Sequence, residues 1–169
     1  MSSRSQAAAS SSSMEMSLFI AFMRIADIFG GEAEQVVKTG GLTGAQYNVL
    51  RILRGAGPGG LACREIGARM ISRDPDITRL LDRMAKRGLI TRERQSDDRR
   101  VVKAFVTTSG LQILKTLDQP VRELHKKQFQ HLSARKLNAL AVMLEELRQQ
   151  LRAASARCDP EPQKLSRNR

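Results

Sequence analysis

Charged and polar side chains in the middle of the chain have the types and the spacing needed to contact a DNA base edge. Asp76, Arg79 and Arg83 follow one another at intervals of three and four residues, which places them on one face of a helix. The major groove admits one α-helix, and arginine can donate two hydrogen bonds to guanine there. The alternative is a solvated face on which Asp82 pairs with Arg79 and Lys86. The candidate residues of this helix are Arg73, Asp76, Thr78, Arg79 and Arg83.

A second basic cluster follows on a predicted β-hairpin. Residues 90–94 and 101–106 favour strands, and residues 95–100 between them form a polar turn. A thin basic arm suits a phosphate backbone or a narrow minor groove, whose negative potential attracts arginine. Asp98 would pair with Arg100 and orient its guanidinium, although an ordinary charged turn is the alternative. The candidate residues of this hairpin, the wing, are Arg92, Arg94, Asp98, Arg99, Arg100 and Lys103.

The net charge points to a polyanionic partner. The 169 residues contain 29 Lys and Arg and 17 Asp and Glu, so the formal charge is 29 − 17 = +12. Such a charge is typical of proteins that bind DNA, RNA or an anionic membrane surface. Aromatic residues make up only 4 % of the chain, which disfavours stacking on single strands. No apolar run approaches the ~20 residues of a membrane span. Double-stranded DNA is therefore favoured.

The first forty residues predict a leader and one amphipathic helix. Residues 1–13 are rich in Ser and Ala and predict a disordered leader, whereas apolar residues recur at helical spacing over 14–41. Gly30-Gly31 and Gly40-Gly41 are the points at which this helix could break. The apolar stripe consists of Leu18, Phe22, Ile25 and Phe29.

Caps and turns predict the limits of the elements that follow. Ser, Thr and Asp cap helices by accepting from backbone N–H groups, and glycine ends them. The predicted signals are a capping box of Thr43 with Gln46, a turn at 55–60, a short helix at 61–69, a cap at Asp74 with Pro75 as the first helical residue, a stop at Gly88, and caps at Thr107 or Thr108 and at Ser133.

The element order predicts a mainly α fold with a small β-hairpin. A winged helix-turn-helix domain over 42–107 is flanked by long helices over 14–41 and 108–157, and a basic tail over 158–169 is expected to be disordered. The flanking helices carry apolar stripes that the middle domain cannot cover. A second copy of the chain would bury them, which predicts a homodimer.

An enzyme finds little support in the sequence. There is no Gly-rich phosphate loop and no nucleophile motif, and the spacing of six between His125 and His131 does not fit one metal ion. We therefore expect no cofactor and no metal. Cys63 and Cys158 lie far apart in a chain that shows no secretory signal, which predicts a reducing cytoplasm and no membrane association.

Six short motifs follow one another along the chain. They are Thr43-Gly-Ala-Gln46, Glu65-Ile-Gly67, Thr78-Arg-Leu80, Arg87-Gly-Leu-Ile90, Asp98-Arg-Arg100 and Thr107-Thr-Ser-Gly110. In these motifs the chain resembles the MarR regulators, and the match runs from about residue 14 to residue 157. The resemblance implies an obligate homodimer whose recognition helices enter successive major grooves of a pseudo-palindromic operator, with the wing tips in the flanking minor groove.

The resemblance also assigns residues. Arg79 matches the arginine of the family's recognition helix, and Asp98 and Arg100 match the Asp-x-Arg of its wing. The chain departs from the pattern at Ile71, where many members have Gly, and at Asp74 and Asp76, where small polar residues are usual. Asp76 could accept from a cytosine amino group or repel phosphate, so the departures bear on the operator sequence.

Regulation is implied by the resemblance as well. Family members are often released from DNA by a small aromatic or phenolic ligand, or by oxidation of a cysteine. The candidate residues for such a ligand pocket are Phe22, Met23, Tyr47 and Arg51, for each of which a plain core position is the commoner role. The family's sensor cysteine lies in the first helix, and the first helix of this chain contains no cysteine. Cys63 is therefore expected to be a small buried residue.

These observations predict a cytoplasmic, sequence-specific DNA-binding transcription regulator of the MarR type, acting as a repressor released by an aromatic ligand. Two alternatives stay open. One is a helical dimeric interaction protein that has lost specific DNA binding, and the other is a cysteine-based redox-responsive regulator.

Overall fold

The computed structural model describes residues 3–71, 76–94 and 101–158, with the backbone alone at 3–12 and 155–158. These residues divide into two compact units, one up to His125 and one from Lys126. The expected mainly α fold with a small antiparallel sheet is confirmed. The elements are α1 (Ser3–Lys38), α2 (Gly44–Ala56), β1 (Leu61–Ala62), α3 (Cys63–Arg69), α4 (Ile77–Lys86), β2 (Ile90–Arg94), β3 (Val102–Val106), α5 (Thr108–Phe129) and α6 (Ala134–Cys158).

Helix α1 is longer than the sequence predicts. It begins at Ser3, within the segment expected to be a disordered leader, and continues through Gly30-Gly31 without a break. Alanine has the highest helix propensity, so the Ala- and Ser-rich start is compatible with a helix. Each glycine costs a helix only about 1 kcal/mol, which neighbouring turns can offset. The chain leaves the helix after Lys38, and Gly41 adopts a positive φ of 70° in the predicted turn.

The predicted caps at the start of α2 and α5 and the predicted glycine stop after α4 are confirmed. The hydroxyl of Thr43 accepts from the backbone N–H of Gln46 at 3.3 Å, and the Gln46 side chain accepts from the Thr43 N–H at 3.1 Å. The Thr107 hydroxyl accepts from the N–H of Gly110 at 3.1 Å. Gly88 follows α4 with φ 69°. Each signal depends only on neighbours three or four residues away.

The N-cap of α4 is Asp76 and not Asp74. The Asp76 carboxylate accepts from the backbone N–H of Arg79 at 3.2 Å, and the helix begins at Ile77 instead of at Pro75. Residues 72–75 lie outside the described residues, so the predicted first turn at Pro75 is not seen. Both aspartates are good caps, and local preference alone did not choose between them.

The sheet has a strand that the sequence analysis missed. Strand β1 pairs with β3, giving the order β1-β3-β2, with all pairs antiparallel. Strand β1 has only two residues, which is too short to show the alternation of apolar and polar residues typical of a strand. It is therefore recognised only by its pairing with β3. Gly60 precedes it at φ 57°, where a Cβ would lie 2.8 Å from the carbonyl oxygen of Ala104. The close backbone approach at this position therefore requires glycine.

One apolar core holds the middle of the chain together. Helix α2 contributes Leu50 and Leu53, and α4 contributes Leu81 and Met84, all essentially without solvent exposure. Leu114 of α5 lies in the same cluster. This packing turns the opposite face of α4 outward.

Helix α6 belongs to the second unit and begins after Ser133, whose hydroxyl accepts from the N–H of Lys136 at 3.4 Å. It extends to Cys158, a residue that the sequence analysis placed in the tail. The remainder of that tail lies outside the described residues. Among the residues that are described, no helix is long and apolar enough to span a membrane.

Candidate nucleic-acid interface

The exposed face of α4 carries the predicted base-reading residues. Thr78, Arg79 and Arg83 are exposed, whereas Leu80 and Leu81 of the same helix are buried. The Arg79 side chain is 78 % exposed, so its guanidinium is available to a ligand outside the fold. Arg73, predicted to lie just before this face, falls outside the described residues.

Asp76 contacts Arg79 through both of its carboxylate oxygens. One carboxylate oxygen caps α4, and the other accepts from the Nε of Arg79 at 3.0 Å. Asp76 therefore already caps the helix, and the base contact predicted for it would be a second role. The alternative pairing of Arg79 with Asp82 is not the one seen, because Asp82 pairs with Arg92 of the wing. Exposed pairs of this kind contribute at most about 1 kcal/mol each.

The stems of the wing present basic side chains on β2 and β3. Arg94 is exposed and Lys103 is half-buried, with Lys103 opposite Glu93 in the register. The side chain of Arg92 is only 22 % exposed and is engaged by Asp82, so it connects the wing to α4. The tip residues Asp98, Arg99 and Arg100 lie outside the described residues.

A cavity of about 560 Å³ lies within the first unit and is walled by α1, α2 and α5 and by the chain after α3. Of the four predicted pocket residues, Tyr47 and Arg51 line it. Phe22 and Met23 do not: they lie on α1 with 42 % and 56 % exposure. The residues lining the cavity are Gly30, Ala33, Glu34, Val37, Gly44, Ala45, Tyr47, Asn48, Arg51, Ile71, Val121 and His125.

The cavity contains polar groups that the sequence analysis did not select. Glu34 accepts from the backbone N–H of Gly44 at 2.6 Å, and His125 lies on another wall. Arg51 donates to the Tyr47 hydroxyl at 3.0 Å, with its guanidinium carbon 5.7 Å from the ring centre. His125 is exposed at the surface and also lines the cavity. No local motif marks these residues, since they come from separate helices.

An ion pair joins two of the helices that wall the cavity. The two terminal nitrogens of the Arg54 guanidinium in α2, Nη1 and Nη2, each donate to one oxygen of the Asp118 carboxylate in α5 at 2.9 Å. These hydrogen bonds hold the pKa of Asp118 below its ordinary value, against the opposing effect of desolvation. They also raise the pKa of Arg54. The pair therefore fixes α2 to α5 beside the cavity.

The part of the chain that the structure describes has a free thiol at Cys63, close to the exposed face of α4. Cys63 is half-buried, less enclosed than predicted, with its Sγ 3.8 Å from the Thr78 hydroxyl. Within the described ranges, no group of three or more His, Cys, Asp or Glu residues is arranged to bind a metal ion.

Several known proteins are similar to this chain in sequence and in fold. The model of the MarR family matches residues 42–102. A MarR transcription factor from Planctomyces limnophilus, known from a crystal structure, is 38 % identical over 77 % of this chain and 94 % of that chain, with a TM-score of 0.60. The HTH-type transcriptional repressor IacR of Pseudomonas putida is 30 % identical over 66 % of this chain and 66 % of its own length.

A mutant MarR from E. coli, solved in complex with operator DNA, has the same fold. It is 23 % identical over 79 % of this chain and 95 % of that chain, with a TM-score of 0.72. The family match, the 38 % identical structure and the outward face of α4 agree with one another. The chain belongs to the MarR family, whose members are transcription regulators and not enzymes.

Proposed function

We propose that this regulator is a homodimeric repressor that binds a pseudo-palindromic sequence of double-stranded DNA. The observation that carries the proposal is the outward face of α4, on which Thr78, Arg79 and Arg83 are exposed over a fully buried apolar face. A helix packed in this way can enter a major groove with its arginines directed at base edges. The E. coli protein of the same fold was solved in complex with operator DNA, which supports DNA as the partner.

Each part of the interface has a separate task in this proposal. Arg79 and Thr78 contact bases, whereas Arg94 and Lys103 contact phosphates and set the register. Arg100 at the wing tip enters the minor groove, where it recognises groove shape more than sequence. Because each neutralised phosphate releases counterions, the affinity falls steeply as salt is raised.

Dimerisation is proposed from two exposed apolar surfaces. Phe19, Met23 and Ile28 of α1 are more than half exposed, and so are Met143 and Leu151 of α6. Clusters of large apolar side chains that face water often mark a protein–protein interface. A second copy of the chain can bury each of them, and a two-fold dimer matches the symmetry of a pseudo-palindromic site. We place this dimer in the cytoplasm, with the DNA.

We further propose that an aromatic or phenolic acid occupies the cavity and releases the repressor. Alanine, valine and isoleucine side chains supply apolar walls, and Arg51 supplies a cation beside the Tyr47 ring. A carboxylate can accept two hydrogen bonds from a guanidinium. The volume of about 560 Å³ is in the range of small-molecule pockets.

The DNA proposal is tested by selecting bound fragments from a genomic library and titrating them by fluorescence anisotropy. Arg79→Ala should weaken binding and relax the base preference, whereas Arg100→Ala should weaken binding to many sequences alike. Lys115→Ala on α5 is the matched loss of an exposed positive charge and should have little effect. The proposal is wrong if both arginine variants bind the selected fragment as the wild type does.

The ligand proposal is tested by thermal shift with 4-hydroxybenzoate and related aromatic acids. Arg51→Gln should abolish the stabilisation, because the acid loses its cationic partner. The uncharged analogue 4-hydroxybenzamide should stabilise the wild type less than the acid does. If no aromatic acid raises the melting temperature, or if Arg51→Gln responds as the wild type does, the ligand class is wrong.

A further inference from the structure

The carboxyl end of α4 is held by one side chain that reaches two other elements. The guanidinium of Arg87 donates through Nη1 to the Gln46 Oε1 at 2.9 Å and through Nη2 to the Gly41 carbonyl oxygen at 2.8 Å. Gly41 ends the turn after α1, and Gln46 lies in the first turn of α2. We call Arg87, Gln46 and Gly41 the corner clamp.

The acceptor of the corner clamp is itself fixed. Gln46 is only 8 % exposed, and the same Oε1 accepts from the backbone N–H of Thr43 in the capping box. The first turn of α2 is also bound to α1, because Gly44 donates to Glu34. Arg87 therefore bonds to a corner that has little freedom of its own.

Apart from the Asp82–Arg92 ion pair with the wing and the contact of Thr78 with Cys63, the contacts of α4 with the body of the domain are apolar. Leu80, Leu81 and Met84 pack into the core, and the hydrophobic effect that drives such burial has no directional preference. A planar guanidinium that donates to two acceptors has a fixed geometry. Arg87 is therefore placed to set the rotation of α4 more strictly than the core does.

We propose that Arg87 is a positioning residue that fixes the angle of α4 for sequence-specific DNA binding; this inference rests on the proposed function. Arg87 does not have to contact the nucleic acid in order to act. A recognition helix that samples several angles is competent in only part of its population, and the apparent affinity falls by that fraction. Non-specific binding depends on charge and does not require one angle.

The corner clamp also connects the cavity to α4. Glu34 and Gly44 line the cavity and bond to each other, and Gly44 lies in the same first turn of α2 as Gln46, which accepts from Arg87. A molecule that displaces α1 from the first turn of α2 would move the acceptors of Arg87.

The test uses Arg87→Lys in the full chain. Lysine keeps the positive charge at the end of α4 but cannot donate to both acceptors in the same planar geometry. We expect the ratio of specific to non-specific DNA affinity to fall about fivefold, which corresponds to the loss of one ordinary hydrogen bond. The affinity for non-specific DNA and its dependence on salt should stay as in the wild type.

Two controls separate this role from others. Arg122→Lys makes the same change on the exposed surface of α5 and should leave the ratio unchanged. Gln46→Glu keeps the capping acceptor and offers Arg87 a charged partner, so it should keep the ratio at the wild-type value or above. Circular dichroism at the assay temperature reports the folded fraction, so that the affinities refer to folded protein.

The outcomes are distinct. A wild-type ratio in Arg87→Lys overturns the inference, because a phosphate contact tolerates lysine and a positioning contact does not. An equal loss of specific and non-specific binding also overturns it. If the wild type itself shows no specific binding to any selected fragment, the proposed function fails and the inference fails with it. A lower ratio in Gln46→Glu would likewise contradict the corner clamp.

Discussion

The double role of Asp76 gives the sharpest prediction, because cap and charge can be separated by substitution. Asparagine at this position keeps an oxygen that can accept from the Arg79 N–H, but it removes the charge that engages the Arg79 Nε. Alanine removes both. Asparagine and aspartate are equally good N-caps, so the free energy of unfolding should hardly change in Asp76→Asn and should fall by about 1 kcal/mol in Asp76→Ala.

The effect on DNA affinity follows from the exposure of the pair. With Arg79 at 78 % and Asp76 at 47 % exposure, the ion pair is worth no more than about 1 kcal/mol. Its removal frees the guanidinium, and a carboxylate that would repel phosphate is lost at the same time. We therefore expect Asp76→Asn to bind the selected fragment up to about fivefold more tightly. Related fragments should gain by a similar factor.

Urea unfolding gives the stability of both variants, and anisotropy titrations at two salt concentrations give the affinities. Asp76→Ala serves as the control in which the charge is also lost but the helix start is weakened. Our reasoning is refuted if Asp76→Asn binds the selected fragment more weakly and loses its preference for a cytosine at one position. That result would make Asp76 a residue that accepts from the base.

Three further predictions concern stability and charge. Asp118→Asn should lower the free energy of unfolding by about 1 kcal/mol at pH 7, because Arg54 loses its charged partner. Because the folded-state pKa of Asp118 is lowered, this stabilisation is present above the unfolded pKa and disappears as the pH falls through the folded pKa. The difference in unfolding free energy between the wild type and Asp118→Asn, measured with urea, should therefore be smaller at pH 3 than at pH 7. Gly110→Ala should cost about 1–3 kcal/mol in thermal unfolding, since its Cβ would collide with the backbone carbonyl of Leu89. Arg94→Gln should reduce the slope of log affinity against log salt by about 0.9, and an unchanged slope would mean that Arg94 does not contact phosphate.

Helix caps and glycine stops could be predicted from the sequence, because they depend on residues close together in the chain. The capping box of Thr43 and Gln46 and the cap at Thr107 depend on bonds across three residues. Gly88 ends α4 because its backbone conformation there disfavours a side chain. The buried face of α4 follows from helical spacing alone, and its opposite, basic face was identified in the same way.

Features with distant partners could not be predicted in this way. Strand β1 is too short for a pattern and exists through its pairing with β3. Glu34 and His125 meet at one cavity although they lie 91 positions apart in the sequence (125 − 34), and neither stands in a recognisable motif.

The sequence by itself determined the basic, winged helix-turn-helix character of this regulator, because charge, helical periodicity and helix caps are properties of neighbouring residues. Only the tertiary structure decided which of the arginines stay open to a ligand outside the fold. Arg79 keeps 78 % of its side chain exposed although it pairs with Asp76, whereas Arg92 is engaged by Asp82, Arg54 by Asp118 and Arg87 by the corner clamp. The physical reason is that an ion pair or a hydrogen bond depends on distance in space, and the fold alone sets the distance between residues far apart in the chain.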